Sequence, residues 1–336
     1  MRYFIFLFFL PFLTYAQNNV TPEQIQRELN EAEDQYQKSK EMFNPWYTGP
    51  LVTPSASMMP PGQANIQPYL FITGAYAMYN KDRHSVPLLH NAYSLKVNPP
   101  MQIGITNTMD VVFSPTAEAN WQAGKSGGGF SDLSITIGFP ITRQTLYVPG
   151  MRFTIQETFP TGKYKNLSHN GFNLNSTGLG SYQTTFGYTI GKVIWWTYPY
   201  PMNLRMFIGY QIPTTVHVRN FNSFGGGFGT RGKVRPGNTF TTDLGMELSF
   251  TQRWVFALDV VYQATNRTKF HGNPGITAAG TPAGVGTGYS DNLSLAPAIE
   301  YNWNSNFGVL GGVQFSVYGR NSLNFVTGQF SVLYNW

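Results

Sequence analysis

The chain has 336 residues, a formal net charge of +6 and no cysteine. Only 11% of its residues are charged and 16% are aromatic. This argues against an ordinary cytosolic globule, in which about a quarter of the residues are charged, and against a disordered chain. The lack of cysteine excludes disulfide frameworks, thiolate-bound metals and cysteine nucleophiles. Strands that alternate apolar and polar residues would produce such a composition.

The first sixteen residues match a secretory signal peptide. Arg2 precedes an apolar run over residues 3–13, and the small residues Thr14 and Ala16 follow it. This is the order of segments in a signal peptide. The run is shorter than the ~20 residues that a membrane-spanning helix needs. We therefore predict export, with residues 1–16 removed by cleavage after Ala16.

Residues 17–43 are predicted to contain an acidic, amphipathic helix. Thr21, Pro22 and Gln24 have the arrangement of a capping box with proline at the first helical position. An apolar stripe with alternating four- and three-residue spacing follows at Ile25, Leu29, Ala32, Tyr36 and Phe43. This pattern fits a solvated periplasmic helix, a coiled-coil contact or part of a lumenal plug. Residues 44–63 contain five prolines, so they are predicted to form a linker or an extended plug.

From residue 64 onward the residues alternate with a period of two, clearly so in 202–210, 240–250 and 292–303. Such segments match the ~9–11 residues of a tilted membrane-spanning strand. Twelve strands are predicted: 65–79, 93–104, 109–116, 129–140, 147–159, 179–192, 200–212, 239–250, 253–264, 290–303, 307–318 and 323–336. Short turns alternate with long loops at 80–92, 117–128, 160–178, 213–238 and 265–289, as in outer-membrane barrels.

A sheet in lipid satisfies its backbone only as a closed barrel. Residues 64–336 are therefore predicted to be an all-β, transmembrane, antiparallel up-and-down β-barrel of about 12 strands in the bacterial outer membrane. Four residues on one face of the last strand resemble the assembly signal of such barrels, which implies the barrel-assembly machinery as a partner: Phe330, Val332, Tyr334 and Trp336.

Charged residues fall into two predicted groups. Because a charge facing lipid is costly, those on polar strand faces are candidates for the lumen: Lys96, Asp132, Arg152, Arg205, Asp243, Glu247, Asp259 and Glu300. Basic residues in outer loops predict a cationic mouth that attracts anions or lies against lipopolysaccharide phosphates: Lys163, Lys165, Arg219, Arg231, Lys233, Arg235, Arg267 and Lys269. An alternative is that these residues only keep the loops soluble.

Several short motifs resemble a known family. They are Gly104-Ile105-Thr106-Asn107-Thr108-Met109-Asp110, Pro160-Thr161-Gly162-Lys163-Tyr164 with Gly178-Leu179-Gly180, and the stretch 44–50 with 60–62 and 66–69. Together they resemble the outer-membrane transporter family of the "MetA-pathway of phenol degradation" type, which is distantly similar to the long-chain fatty-acid channels. The resemblance implies a channel or transporter for small compounds. Lys163 departs from the acidic or small polar residue more usual in that family.

No enzyme, metal or cofactor is predicted. The five histidines lie in predicted loops without a repeated metal-ligand spacing. Gly227–Lys233 resembles a P-loop, but Val234 replaces the Ser/Thr that would hold Mg²⁺. The predicted function is passive uptake of small hydrophobic or anionic solutes. The alternatives are a non-conducting surface structural or adhesion barrel and, more weakly, a barrel hydrolase. Expected partners are outer-membrane lipid and lipopolysaccharide and small solutes, but not nucleic acid, from which secretion separates the chain.

Overall fold

A computed structural model describes residues 21–42, 45–168, 172–195, 197 and 200–336, without the side chains of residues 35 and 38–42. The predicted signal peptide and Phe43 lie outside these residues. The described chain forms helix α1 (Pro22–Met42) and nineteen strands: β1 Ala64–Ile66, β2 Tyr69–Tyr79, β3 Ser85–Asn98, β4 Met101–Thr106, β5 Met109–Ser114, β6 Ala117–Gln122, β7 Lys125–Phe130, β8 Leu133–Thr142, β9 Gly150–Phe159, β10 Gln183–Ile194, β11 Met202–Pro213, β12 Val216–Arg219, β13 Arg231–Arg235, β14 Thr239–Ser249, β15 Trp254–Thr265, β16 Lys269–Asn273, β17 Ser290–Asn304, β18 Phe307–Arg320 and β19 Ser322–Asn335.

Helix α1 begins with a capping box. The Gln24 N–H donates to Thr21 Oγ1 (3.2 Å), and the Thr21 N–H donates to Gln24 Oε1 (2.9 Å), so two orphan donors of the first turn are satisfied. The Tyr36 ring meets the ring of Trp195, just after β10, edge-on at 5.5 Å. In the described residues no helix is both long and apolar enough to span a membrane.

The barrel is a closed antiparallel ring. Its order is β1-β4-β5-β8-β9-β10-β11-β14-β15-β17-β18-β19, and the ring closes because β1 pairs with both β4 and β19. Strands β2, β3, β6 and β7 continue the wall from β19. Each of them joins a ring strand across a two-residue break, at 67–68, 99–100, 115–116 and 131–132. Counting each joined pair once gives twelve wall strands, which confirms the predicted barrel.

Prolines cause three of the four breaks. Pro68, Pro99, Pro100 and Pro115 lie in them, and proline has no N–H to give to a ladder. We call the end with the tight turns at 107–108 and 305–306 the short-turn end. The opposite end, with the connections 160–182, 214–238 and 266–289, is the long-loop end.

Four predicted loops contain strands. β3 starts at Ser85 inside the predicted loop 80–92, and a β6–β7 hairpin replaces the predicted loop 117–128. Strands β12, β13 and β16, which lie in the two longest predicted loops, form a separate three-stranded sheet. Pro87 in β3 and Gly127–Gly129 in β7 interrupt the alternation of apolar and polar residues, so the sequence did not predict strands there. The strands of the three-stranded sheet also need no apolar outer face, because they lie beyond the wall strands.

The outer face of the barrel is apolar and ends in an aromatic belt. At the short-turn end, successive ring contacts of 4.7 to 6.5 Å link residues of β15, β17, β18 and β19, in the order Trp254, Tyr301, Trp303, Phe307, Tyr334 and Trp336. Such girdles mark the membrane interfaces of barrels. Phe330, Tyr334 and Trp336 of the predicted assembly signal lie on this outer face and are about half exposed.

Adjacent residues in the middle of β18 test which face meets lipid. Val313 is 41% exposed on the outer face, while Gln314 points inward and donates to Ser294 Oγ (2.9 Å). Val313→Arg is expected to lower the free energy of unfolding by about 2–4 kcal/mol, because the charge would lie near the bilayer midplane. Gln314→Arg, at the same depth, is expected to cost far less. Urea unfolding in lipid vesicles measures both, and equal losses would contradict the assigned faces.

Candidate functional site

Residues 45–61, the plug segment, lie inside the lumen. At the short-turn end the Trp46 N–H donates to the carbonyl of Gln252, in the β14–β15 turn (3.2 Å). Beyond the plug segment, the Gly62 N–H donates to the carbonyl of Gly104 and the Gly104 N–H donates to that of Gln63. The chain then enters β1. A segment so rich in proline cannot form ladders of its own, so its remaining N–H groups need acceptors from the wall.

Three carboxylates of the wall supply these acceptors. Glu300 accepts from the Thr48 N–H (2.7 Å), and Asp110 accepts from the Met59 N–H (3.1 Å). Asp259 accepts from the N–H groups of Val52 and Thr53 (3.1 Å each) and from the Thr53 hydroxyl (2.6 Å). All three carboxylates are fully buried. Hydrogen bonds in a site shielded from water are stronger than at the surface, so the three carboxyl groups fasten the segment along its length.

An apolar contact adds to these bonds. Leu51 is 5% exposed and packs against Ala257, Ala296, Ala298 and Leu310. The three alanines are small, so they leave room for Leu51 beside the wall that larger side chains would fill. Burying a leucine side chain contributes about 1.5–3 kcal/mol.

Glycines let the plug segment approach the wall closely. A Cβ at Gly245 would lie 2.9 Å from Thr53, and a Cβ at Gly104 would collide with the carbonyl of Pro60. These close approaches explain why glycine interrupts β14 and begins the Gly104–Asp110 motif.

Two ion pairs lie beside the segment. Arg152 pairs with Asp110. Arg205 pairs with Glu247 at 2.9 Å, and Asn203 donates to the same carboxylate oxygen (2.7 Å). The Arg205 guanidinium lies 3.3 Å from where a Cβ on Gly49 would be, so it packs directly on the plug segment.

The structure brings together five of the eight predicted lumen residues around the plug segment: Arg152, Arg205, Glu247, Asp259 and Glu300. Asp243 is also buried (3% exposed). Lys96 lies opposite Glu118, with its ammonium 5.9 Å from the ring centre of Phe71.

Asp132 lies at the break between β7 and β8. It accepts from the N–H groups of Gly162 and Leu179 (2.9 Å each). It thereby joins the two halves of the Pro160–Tyr164 and Gly178–Gly180 motif rather than contacting the plug segment.

Sequence reasoning missed Asp110 as a lumen residue, although it closes the Gly104–Asp110 motif. It also missed Asn203 and Asn302; Asn302 accepts from the Thr48 hydroxyl (2.9 Å). The one sequence feature that could have indicated a lumenal role was the acidic residue Asp110 at the end of the motif.

A cavity of about 1120 Å³ runs beside the plug segment. Twelve amide side chains line it: Gln63, Asn65, Gln67, Asn98, Gln102, Asn107, Gln144, Asn203, Asn306, Gln314, Gln329 and Asn335. Arg143, Arg152 and Arg205 reach it as well, and no described Asp or Glu is among its lining residues. Among the residues described, no group of three His, Asp or Glu could hold a metal ion.

The predicted basic mouth divides into two groups. Arg219, Arg231, Lys233, Arg235 and Lys269 lie on the sheet of β12, β13 and β16. Lys163, Lys165 and Arg267 lie in the neighbouring connections. All eight side chains are exposed.

The fold is that of an outer-membrane β-barrel. The COG4313 outer membrane channel from Pseudomonas putida F1 is similar over 85% of this chain and 100% of its own, with a TM-score of 0.66 at 11% sequence identity. The NanC porin (TM-score 0.36, 12% identity, 79% of this chain and 98% of that chain) and a TodX monoaromatic hydrocarbon channel mutant (TM-score 0.35, 10% identity, 82% and 90%) are less similar. No protein-family model and no curated protein matches the sequence. The resemblance based on the short glycine-rich motifs therefore stays a prediction.

Proposed function

We propose that the protein is a passive outer-membrane channel, without enzymatic activity, that takes up small anionic solutes through the cavity beside the plug segment. The barrel fold and its similarity to an outer-membrane channel support the channel role. The observation that carries the preference for anions is the lining of the cavity. Its charged lining residues are three arginines; Arg152 and Arg205 are held in ion pairs with buried carboxylates, and Arg143 has no acidic partner among the described residues, so the exposed charge of the lining is positive.

The choice of anionic over hydrophobic solutes follows from this lining. Amide groups can donate to and accept from a solute that loses its water, and arginine binds carboxylates and phosphates through two parallel bonds. The exposed charge of Arg143 raises the concentration of anions at the cavity.

Ion selectivity tests the proposal. In planar bilayers under a KCl gradient, the wild-type protein is expected to show a reversal potential that favours chloride. Arg143 donates to the carbonyl of Asn107 (3.2 Å) and has no acidic partner among the described residues. Arg143→Gln is therefore expected to reduce the anion preference. Arg253→Gln removes an exposed arginine at the same end of the barrel that does not line the cavity, and it should leave the preference unchanged. A cation preference in the wild type would contradict the proposal.

A non-conducting surface protein is the second candidate, and the plug segment in the lumen favours it. This candidate predicts that the wild-type protein carries no current and that it still carries none when the plug segment is released. Release of the segment therefore separates the two functions.

A further inference from the structure

The sheet of β12, β13 and β16 stands above one sector of the barrel wall. Its strands continue β11, β14 and β15 across the connections 214–215, 236–238 and 266–268, and they keep the same lateral order. The sheet is therefore an extension of the wall beyond the membrane-spanning strands at the long-loop end.

One face of this sheet is apolar and points toward the mouth. Val216, Val218 and Val234 are at most 3% exposed and pack against Tyr164 and neighbouring aromatic residues. The connection that carries Tyr164 crosses the inner side of β6, where Asn120 donates to the carbonyl of Leu174 (3.1 Å). Trp121, the next residue, lies on the outer face and is 41% exposed. The valine face is thus turned inward, and the opposite face is turned outward.

The outward face, here called the basic face, carries five cations: Arg219, Arg231, Lys233, Arg235 and Lys269, with His217 and His271 between them. All seven side chains are exposed. The register places Arg219 directly opposite Arg231 and Arg235 directly opposite Lys269. Residues 213–238 and 265–289 contain no Asp or Glu, and within the described part of the chain none of the five cations forms an ion pair. Like charges directly opposite one another destabilise a sheet, so an external anion would stabilise this face.

The position of the basic face relative to the apolar band of the barrel indicates which anion it would meet. Tyr210 and Phe240 lie on the apolar outer face, near its edge at the long-loop end. Asn238 donates to the Tyr210 hydroxyl (2.9 Å). Only residues 236–238 separate Arg235 from β14, a rise of about 10 Å. The cations therefore face sideways just above the apolar band. In an outer membrane this is the level of the phosphorylated sugars of lipopolysaccharide in the outer leaflet.

We propose that the basic face binds the phosphate groups of lipopolysaccharide molecules that surround the barrel. Neighbouring strands are about 4.8 Å apart and successive residues on one face about 6.6 Å apart, so two or three cations can contact one phosphate. Arginine adds bidentate geometry. The inference depends on placement in the outer membrane but not on conduction, so its failure would leave the proposed channel role untouched.

Binding of purified lipopolysaccharide to the folded full chain in detergent tests the inference. The face variant R219Q/R231Q/K233Q/R235Q/K269Q removes the five cations. A matched control, K81Q/K163Q/K165Q/R267Q/R320Q, removes five exposed cations at the same end of the barrel but off the basic face. Heat-modifiable gel migration confirms that each variant is folded. Should the face variant fail to fold, the pair R219Q/R231Q, which relieves one repulsion, replaces it.

The face variant is expected to bind lipopolysaccharide at least about tenfold more weakly than wild type, whereas the control should stay close to wild type. Removing the phosphates from the lipopolysaccharide should weaken wild-type binding by a similar factor, and so should raised salt. Equal losses in the face and control variants would show that only overall charge matters and would overturn the proposal. Unchanged binding to dephosphorylated lipopolysaccharide would overturn it as well.

Discussion

Asp259→Ala is expected to raise the unitary conductance severalfold and to make it noisier. The substitution removes the acceptor of three hydrogen bonds from Val52 and Thr53. Bonds to a charged group are worth about 1.5–3 kcal/mol each. Ordering one residue of backbone costs about 1–2 kcal/mol. The three bonds together contribute more free energy than the ordering of Val52 and Thr53 costs. Without them the middle of the plug segment should leave the cavity for part of the time.

Asp291→Ala is the matched control for this experiment. Asp291 is only 3% exposed and accepts two hydrogen bonds from Arg83 (2.5 and 2.8 Å) at the long-loop end, away from the plug segment. Its loss should leave the conductance at the wild-type level. If Asp259→Ala conducts like wild type while still migrating as a folded barrel, the plug segment does not limit the flow.

Arg152→Met is expected to lower the free energy of unfolding by about 3–5 kcal/mol, because it leaves the buried carboxylate of Asp110 without its cation. The double variant D110N/R152M removes both charges and should recover most of this loss. The amide oxygen that the double variant places at position 110 can still accept from the Met59 N–H. Urea unfolding in vesicles, followed by heat-modifiable migration, measures all three proteins.

Arg143→Met serves as the control for stability. Arg143 is exposed, and the loss of an exposed cation usually changes stability by no more than about 0.5 kcal/mol. A double variant as unstable as Arg152→Met would show that the ion pair itself, and not the unpaired charge, stabilises the barrel.

The barrel could be predicted from the sequence because the bilayer constrains every residue that faces it. That constraint produces the alternation in β14, β15 and β17, where predicted and observed bounds differ by no more than one residue. It ends above the membrane, which is why the sheet of β12, β13 and β16 appeared as loops: its basic strands have no apolar face toward lipid by which to recognise them. The β6–β7 hairpin belongs to the wall and was missed because Gly127–Gly129 interrupt the alternation.

The contacts of the plug segment could not be predicted in the same way. Its prolines excluded a helix, but a linker and a plug have the same composition. The deciding contact joins Thr48 to Glu300 across 252 positions of sequence, and no local pattern encodes such a pairing. Glu300 and Asp259 could be assigned to the lumen because a charge is costly in lipid. That they accept from backbone N–H groups of the plug segment became clear only from the three-dimensional arrangement.

The three-residue strand β1 constrains the order in which the protein assembles. It follows the plug segment after only two residues, and it closes the ring by pairing with β19 at the carboxyl end of the chain. Residues 45–61 must therefore already lie among the carboxylates of β5, β15 and β17 when the seam between the first and last strands forms. A ring closed around an empty lumen would have to draw a proline-rich segment inward past a completed wall. Insertion of the segment and closure of the seam are thus expected to be one cooperative step, in which the barrel closes around residues 45–61 of the same chain.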